Sequence, residues 1–313
     1  MKAIVFDKTK SSEKFVLTEV EKPAPAEGQV LVKMVAASIN AADYRSIRLG
    51  NIPKSGIFGA DIAGRVEALG AGVTRLKVGD EVFGDIMSAG WGGLAEYVAV
   101  PERLLAIKPA AVSFLDAATL PVACLTALQG LRDLGGIQPG QKVLIHGSGG
   151  GVGTFAVQLA KYFGAEITAV CGTQNVEQSK ALGADRVLDY TKEDFRSLPQ
   201  SFNLIFAVNG SYPLSDYLRK ILPGGRLVVA GGALSQVFSA MFFGPLLSIG
   251  SKKTRLLVAK PNQKDLDFII SLVEQGKIRP AVEKIIDLKE AGAALDYLNR
   301  GHARGKILIR IAE

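Results

Sequence analysis

The sequence predicts an α/β protein in which a doubly wound parallel sheet is joined to a partly open β-barrel. Three observations carry this. The run from Lys142 to Lys161, KVLIHGSGGGVGTFAVQLAK, passes from a short apolar strand through a glycine-packed turn into an apolar helix. From about Ala117 onward, strand-like and helix-like segments alternate, the rhythm of a parallel sheet covered on both faces. The first ~120 residues instead hold many short strand-like runs punctuated by Gly and Pro, as in a partly open barrel.

The elements follow in order. Residues 1–6 (MKAIVF) read as a first strand, residues 29–35 (QVLVKMV) as a second, and 61–70 (DIAGRVEALG) as another cut by glycine. VGDEVFG (78–84) is a turn entering a strand, and LAEYVAV (94–100) alternates apolar and polar. Strand 143–145 leads into a helix through Phe163. Strand 167–170, helix 176–182, strands 187–188 and 204–208, helix 214–221 and strand 227–230 complete the alternating run. Beyond Lys260, Leu266, Ile269, Ile270 and Val273 keep helical i, i+3, i+4, i+7 spacing. Asp287 and Glu290 form a capping-box pattern, and 306–311 reads as a closing strand.

Residues 233–250, ALSQVFSAMFFGPLLSIG, are apolar and about as long as a membrane span, but Gln236, three serines and Gly244-Pro245 interrupt them. The stretch reads as a loop and short helix lining a pocket or subunit interface. Weak membrane-surface contact, helped by Lys252, Lys253 and Arg255, is the alternative.

A chain of 313 residues has room for two domains. Its two cysteines, Cys124 and Cys171, lie far apart, which argues against a disulfide scaffold and fits a reducing, cytoplasmic compartment. Two histidines, His146 and His302, do not make a His-rich metal site. The first strand is too short for a signal peptide and runs into Asp7 and Lys8. The net charge of +7 is dispersed and comes with no nucleic-acid motif, so dedicated nucleic-acid binding is not expected; an anionic cofactor benefits from the same field.

The strand–turn–helix around residue 150 is the context a dinucleotide fingerprint needs. Glycines at 149, 150, 151 and 153 let a pyrophosphate approach the backbone, and the helix from Val152 offers it free N–H groups and the positive dipole end. Ser148 stands where the strict pattern has glycine. A phosphate loop for triphosphates is excluded, because Thr154-Phe155 follows the last glycine instead of Lys-Ser/Thr.

Taken with VAASINAADYR (35–45), FGADIAGRVEALG (58–70), GLAEYVAVP (93–101), LPVACLTALQGL (120–131), LGADRVLDYTKEDF (182–195) and HARGKILI (302–309), the chain resembles the zinc-independent medium-chain dehydrogenase/reductase superfamily. Within it, the likeness is to the quinone oxidoreductase and enone (2-alkenal) reductase group. The tail from 251 to 278 is most similar to chloroplast-envelope-type quinone oxidoreductase homologues. The resemblance implies a GroES-like domain from 1–120 with 257–313, a Rossmann domain from 121–256, and an active site in the cleft between them. Zinc alcohol dehydrogenases have cysteine at the position of Asn40 and a His-Glu pair at Ala60-Asp61. The residues present cannot supply about three zinc ligands, so no metal is expected.

The end of the second parallel strand falls at Cys171-Gly172, where NAD-preferring sites carry a carboxylate. With none there, and with Thr173, Gln174 and Asn175 able to donate hydrogen bonds, NADPH is preferred over NADH. Tyr190 resembles the tyrosine packed near that end of the cofactor, although Gln174 replaces a frequent arginine. Thr126 resembles the threonine that contacts the cofactor carboxamide. Asn40 matches the asparagine at the nicotinamide end, where it positions the ring or donates to the acceptor oxygen, or else satisfies a polar loop. Tyr44 is a candidate oxyanion donor or an aromatic pocket wall; Asp43 reads as structural. Lys306 reads as solvent-facing, with the cofactor as its alternative partner, and His146 as structural. The expected reaction is hydride transfer to a quinone or an α,β-unsaturated carbonyl compound, in a homodimer. The alternatives are an enoyl reductase for a specialised acyl substrate and a non-catalytic NADPH-binding protein with RNA or membrane-surface contacts.

Overall fold

A computed structural model describes residues 1–7, 9, 14–210, 212–248, 250–301 and 303–312, so His302 lies outside the described residues. In chain order the elements are β1 (Lys2–Phe6), β2 (Phe15–Glu19), β3 (Gln29–Ile39), α1 (Ala41–Arg48), β4 (Asp61–Leu69), β5 (Glu81–Asp85), β6 (Tyr97–Pro101) and β7 (Leu105–Ile107). Next come α2 (Phe114–Ala118), α3 (Pro121–Leu128), β8 (Lys142–His146), α4 (Gly151–Tyr162), β9 (Glu166–Cys171), α5 (Val176–Ala181), β10 (Arg186–Asp189) and β11 (Phe202–Ala207). The chain continues through α6 (Leu214–Arg219), β12 (Ile221–Val229), α7 (Leu234–Leu247), β13 (Lys253–Leu256), α8 (Gln263–Glu274), β14 (Val282–Asp287), α9 (Ala291–Asn299) and β15 (Lys306–Arg310). Two compact units result, Met1–Ala123 with Pro261–Glu313, and Cys124–Lys260.

In the first unit a mixed sheet runs β14-β15-β3-β4-β5-β7, with β6 also paired to β3, and β1 and β2 form a separate hairpin. β3 is eleven residues long and pairs with β15, β4 and β6, which lets one strand serve two edges of a curved sheet. Register breaks between Leu31 and Val32 and between Met34 and Ala36 bend it. The core includes Val32, Met34, Ile62, Phe58, Val82 and Leu94. Three positions in register matter for the site: Ser38 pairs with Asp61, Asp61 with Asp85, and Ile307 with Ile39.

The second unit is a parallel six-stranded sheet, β10-β9-β8-β11-β12-β13. β8 lies at its middle and is fully apolar from Val143 to Ile145, as a strand covered on both faces must be. α4 buries Phe155, Ala156, Leu159 and Ala160.

The segment at 233–250 departs from expectation. It is a fourteen-residue helix, not a loop with a short helix. Gln236, Ala240 and Gly244 recur every four residues on one buried face of α7, Gly244 against Thr254 of β13 and Gln236 against Gly210 and Gly232, so two of the residues that read as breaks lie on the packing face of the helix. Phe238, Met241, Phe242 and Phe243 are left exposed. Among the described residues no helix is long and apolar enough to cross a membrane.

Candidate active site

The first unit carries a buried polar cluster at the meeting point of β3, β4, β5 and β15. The register brings Ser38, Asp61 and Asp85 into one row, and the pairing of Ile307 with Ile39 sets Lys306 beside Asn40. Lys306 Nζ donates to Asn40 Oδ1 at 2.6 Å and to Asp61 Oδ2 at 2.9 Å. The same carboxylate oxygen accepts from Ser38 Oγ at 2.5 Å and from Asn40 Nδ2 at 2.8 Å, while Oδ1 accepts the Val122 N–H at 2.7 Å. Lys306 is 2% exposed and Asp61 0%. Lys306 therefore does not face solvent, as the sequence suggested. It opens an apolar strand, and its charge is matched within the sheet by Asp61.

Asn40 also starts α1. Its N–H donates to Asp43 Oδ2 at 2.7 Å, and Asp43 Oδ1 accepts the Gly59 N–H at 3.0 Å. Gly59 has φ +96°, and a Cβ there would stand 2.8 Å from the Leu94 nitrogen, so only glycine brings this N–H to the carboxylate. Asp85 is buried and accepts the Met87 N–H. Burial pushes both Asp43 and Asp85 up to about 7; the Asp61 charge acts in the same direction on each, against their backbone hydrogen bonds. Three carboxylates and one ammonium thus share a dry region. Tyr44, half-buried on α1, lies with Arg45 and Arg48 at 5.9 and 5.8 Å from its ring centre, a cationic setting for an aromatic wall.

The second unit carries the glycine turn between β8 and α4. Gly147 makes the turn with φ +95°. A Cβ on Gly153 would meet the Gly147 carbonyl at 2.0 Å, and one on Gly149 would meet the Asn175 side chain at 2.3 Å, so both glycines serve close packing. Gly150, the N-cap of α4, has nothing within 4 Å of a would-be Cβ. Gly151 and Val152 form the partly exposed first turn behind it. Ser148 is fully buried, its hydroxyl 3.3 Å from the Val170 carbonyl and 2.9 Å from Ser179 Oγ, so it turns away from this open side. Asn175 is buried with no hydrogen-bond partner for its Oδ1. An open glycine at a helix N-terminus, together with an orphaned amide oxygen beside the turn, fits a pyrophosphate and a ribose hydroxyl.

At the end of β9, Tyr190 is half exposed, and its hydroxyl lies 3.1 Å from a would-be Cβ on Gly172. Thr173 and Gln174 are exposed in the turn that follows. Here the structure corrects one expectation. A carboxylate does stand at this end: Asp189 accepts from Thr173 Oγ1 at 2.7 Å, and this bond holds its carboxyl pKa below the usual carboxylate range. The parallel pairing of Cys171 with Asp189 places it there from the next strand. A cation accompanies it, since Lys192 Nζ lies 3.6 Å from Asp189 Oδ2. Thr126 is half-buried on α3. His146, which closes β8, bonds through Nδ1 to the Tyr217 hydroxyl at 2.8 Å within a ring cluster of Phe195, Tyr212 and Tyr217. Burial pushes it down to about 4. Cys171 is a small buried residue beside Ser179.

Sequence reasoning did not assign Asp61, Asp189 or Lys192 to any site, gave Lys306 the cofactor only as an alternative to solvent, and named Asn175 only as a donor beside the second strand. Asp61 and Lys306 each stand directly before buried apolar residues, Ile62 and Ala63 in one strand and Ile307 to Ile309 in the other, and a charge in such a place was the available signal. Among the described residues no group of three or more His, Cys, Asp or Glu could hold a metal ion. Around Asn40 the donors are an amide and a carboxylate already committed to an ammonium, a set that does not fit zinc.

A parallel sheet with an open glycine at its central crossover and a separate sheet enclosing a charged cluster define a dinucleotide-type oxidoreductase. Known proteins place it more closely. Residues 26–110 match the family model of the alcohol dehydrogenase GroES-like domain, and residues 182–309 that of zinc-binding dehydrogenase. The chain is 36% identical to 2-methylene-furan-3-one reductase of Solanum lycopersicum, over 93% of this chain and 74% of that protein. It is 34% identical to the chloroplast envelope quinone oxidoreductase homolog of Arabidopsis thaliana, over 93% and 92%. The quinone oxidoreductase of Coxiella burnetii superposes with a TM-score of 0.89 at 30% identity, covering 100% of this chain and 99% of that one. The chain belongs to the medium-chain dehydrogenase/reductase superfamily, in its quinone oxidoreductase and alkenal/one reductase group.

Proposed function

We propose that this chain is a zinc-independent, NADPH-dependent reductase of quinones and α,β-unsaturated carbonyl compounds. The carrying observation is what its relatives' names have in common. A methylene-furanone, a quinone and an alkenal or enone are the acceptors named for relatives 31–36% identical over at least 92% of this chain. All are conjugated carbonyl systems that take a hydride and place the negative charge on oxygen. A trans-enoyl reductase of Aspergillus terreus, 31% identical, extends the same chemistry to acyl chains.

When bound, NADPH supplies the hydride. Gly150, Gly151 and Val152 hold the pyrophosphate at the start of α4. Gly149 and Ser148 shape the turn beneath it, and Asn175 meets the adjacent ribose. Gly172, Thr173, Gln174 and Tyr190 surround the adenosine end, where Lys192 is the cation nearest Thr173's carboxylate partner. Thr126 holds the carboxamide end. Asn40 orients the reacting groups and donates an N–H to the oxygen on which charge develops, and Tyr44 forms the acceptor wall. Solvent protonates the enolate carbon, so no buried acid is required. Two buried free cysteines suit the reducing conditions of the cytoplasm. β13 is a sheet edge next to the exposed aromatic face of α7, and a second copy of the chain covers both in a homodimer.

Anaerobic NADPH and NADH oxidation by metal-stripped protein, against a panel of small quinones and enones, tests this reading. Turnover favouring NADPH and indifferent to a chelator is expected. NADPH binding without turnover of any acceptor refutes it. Sedimentation is expected to report a dimer that Phe242→Glu dissociates; a wild-type monomer removes the dimer reading.

A further inference from the structure

The strongest unexplained feature of the first unit is a lysine buried to 2% exposure in a strand whose next three residues, Ile307, Leu308 and Ile309, are apolar and buried. Those residues already bind β15 to β3. A buried ion pair adds little to that, because desolvating two charges offsets most of their attraction. Holding Lys306 there needs another reason, and the bond to Asn40 supplies one.

We propose that Lys306 is the positioning residue of the acceptor site, fixing the Asn40 amide in one orientation and polarising it toward the reacting oxygen. This rests on the reductase reading above. The geometry is decided by donor and acceptor chemistry. An ammonium only donates and a carboxylate only accepts. Lys306 Nζ at 2.6 Å therefore requires the Asn40 oxygen, and Asp61 Oδ2 at 2.8 Å requires the Asn40 nitrogen. Rotating the amide by half a turn sets N–H against N–H and oxygen against carboxylate, two repulsions in a dry site. Asp61 Oδ2 also joins Lys306, so the three groups close a ring of mutual hydrogen bonds. One of the two Nδ2 hydrogens is spent on Asp61 and the other is left for a ligand. The ammonium on the amide oxygen draws electrons from the nitrogen and makes that N–H a stronger donor. A strengthened, pre-oriented donor counts most where negative charge grows during reaction.

The test uses the full-length chain and single-turnover oxidation of bound NADPH by 1,4-benzoquinone and by methyl vinyl ketone. Lys306→Met is expected to slow hydride transfer by about 10- to 100-fold. NADPH affinity, read by fluorescence, is expected to stay within about 3-fold, and a full isotope effect with 4-deuterated NADPH is expected to remain on the slowed step, which marks the loss as one in hydride transfer. Lys306→Arg, which keeps the charge and a donor, recovers part of the rate. Because Lys306→Met strands the Asp61 charge, the double variant Asp61→Asn/Lys306→Met, which removes both members of that pair together, carries the test if the single variant does not fold. A folded variant with hydride transfer within about 3-fold of wild type overturns the assignment. A wild-type chain that reduces neither acceptor overturns the reductase reading and the role of Lys306 with it.

Discussion

At the scale of single residues, the adenosine end shows how one neighbour changes the meaning of a position. Thr173 alone reads as a donor for a 2′-phosphate. In the fold its hydroxyl hydrogen is committed to Asp189, and the cation beside that carboxylate is Lys192, 3.6 Å away. Lys192→Gln is expected to weaken binding of 2′,5′-ADP by about 10-fold while leaving 5′-AMP unchanged, since a charge-assisted contact is worth about 1.4 kcal/mol or more. Titration calorimetry with the two nucleotides checks this, and equal losses for both would show that Lys192 does not read the 2′ position.

At the scale of elements, the turn from β8 to α4 separates glycines that pack from the glycine that faces open space. Gly153 lets α4 lie against the Gly147 carbonyl, and Gly150 faces open space. Gly153→Ala is expected to cost about 2–4 kcal/mol by forcing helix and strand apart. Gly150→Ala, at an unstrained φ of −87°, is expected to leave the melting temperature within a few degrees yet lower NADPH affinity at least ~10-fold by filling the cradle. Thermal denaturation and cofactor titration on the two variants give opposite patterns if the turn works this way. Asn175 Oδ1, buried beside the same turn without a partner, is the unsatisfied acceptor that the proposed cofactor ribose would relieve.

At the scale of the whole molecule, the two units carry opposite proton linkages. In the first, Asp43 and Asp85 are raised to about 7 from an ordinary value of 3.8. Between these values the folded unit holds protons that the unfolded chain has released, so its stability falls as pH rises, and the loss is complete above about 7. In the second, His146 is lowered to about 4 from 6.5. There the unfolded chain binds the extra proton, so the contribution of His146 is whole above about 6.5 and is lost as pH falls toward 4. Hydrogen exchange corrected for intrinsic rates is expected to show β4 and β5 better protected at pH 5 than at 7.5, and β8 and β11 the reverse. Asp85→Asn is expected to flatten the first trend. The same trend in both units would contradict the assignment of these groups.

What the sequence by itself determined are features written in short range. The strand–turn–helix around Gly150, the alternation after residue 117 and the four-residue periods of the helices are local patterns, and local sterics and burial enforce them. That is why the parallel sheet and the dinucleotide turn were legible in residues alone. The tertiary structure decided how distant polar groups meet. Lys306 and Asn40 are 266 residues apart and Lys306 and Asp61 are 245 apart, and only the pairing of β15 with β3 and of β3 with β4 joins them. Asp189 reaches Thr173 through the register of two parallel strands. α7 reads as broken until β13 is present to bury its narrow face. A charge in a strand has no meaning until its partner is known, because an unpaired charge is excluded from a core and a paired one is not.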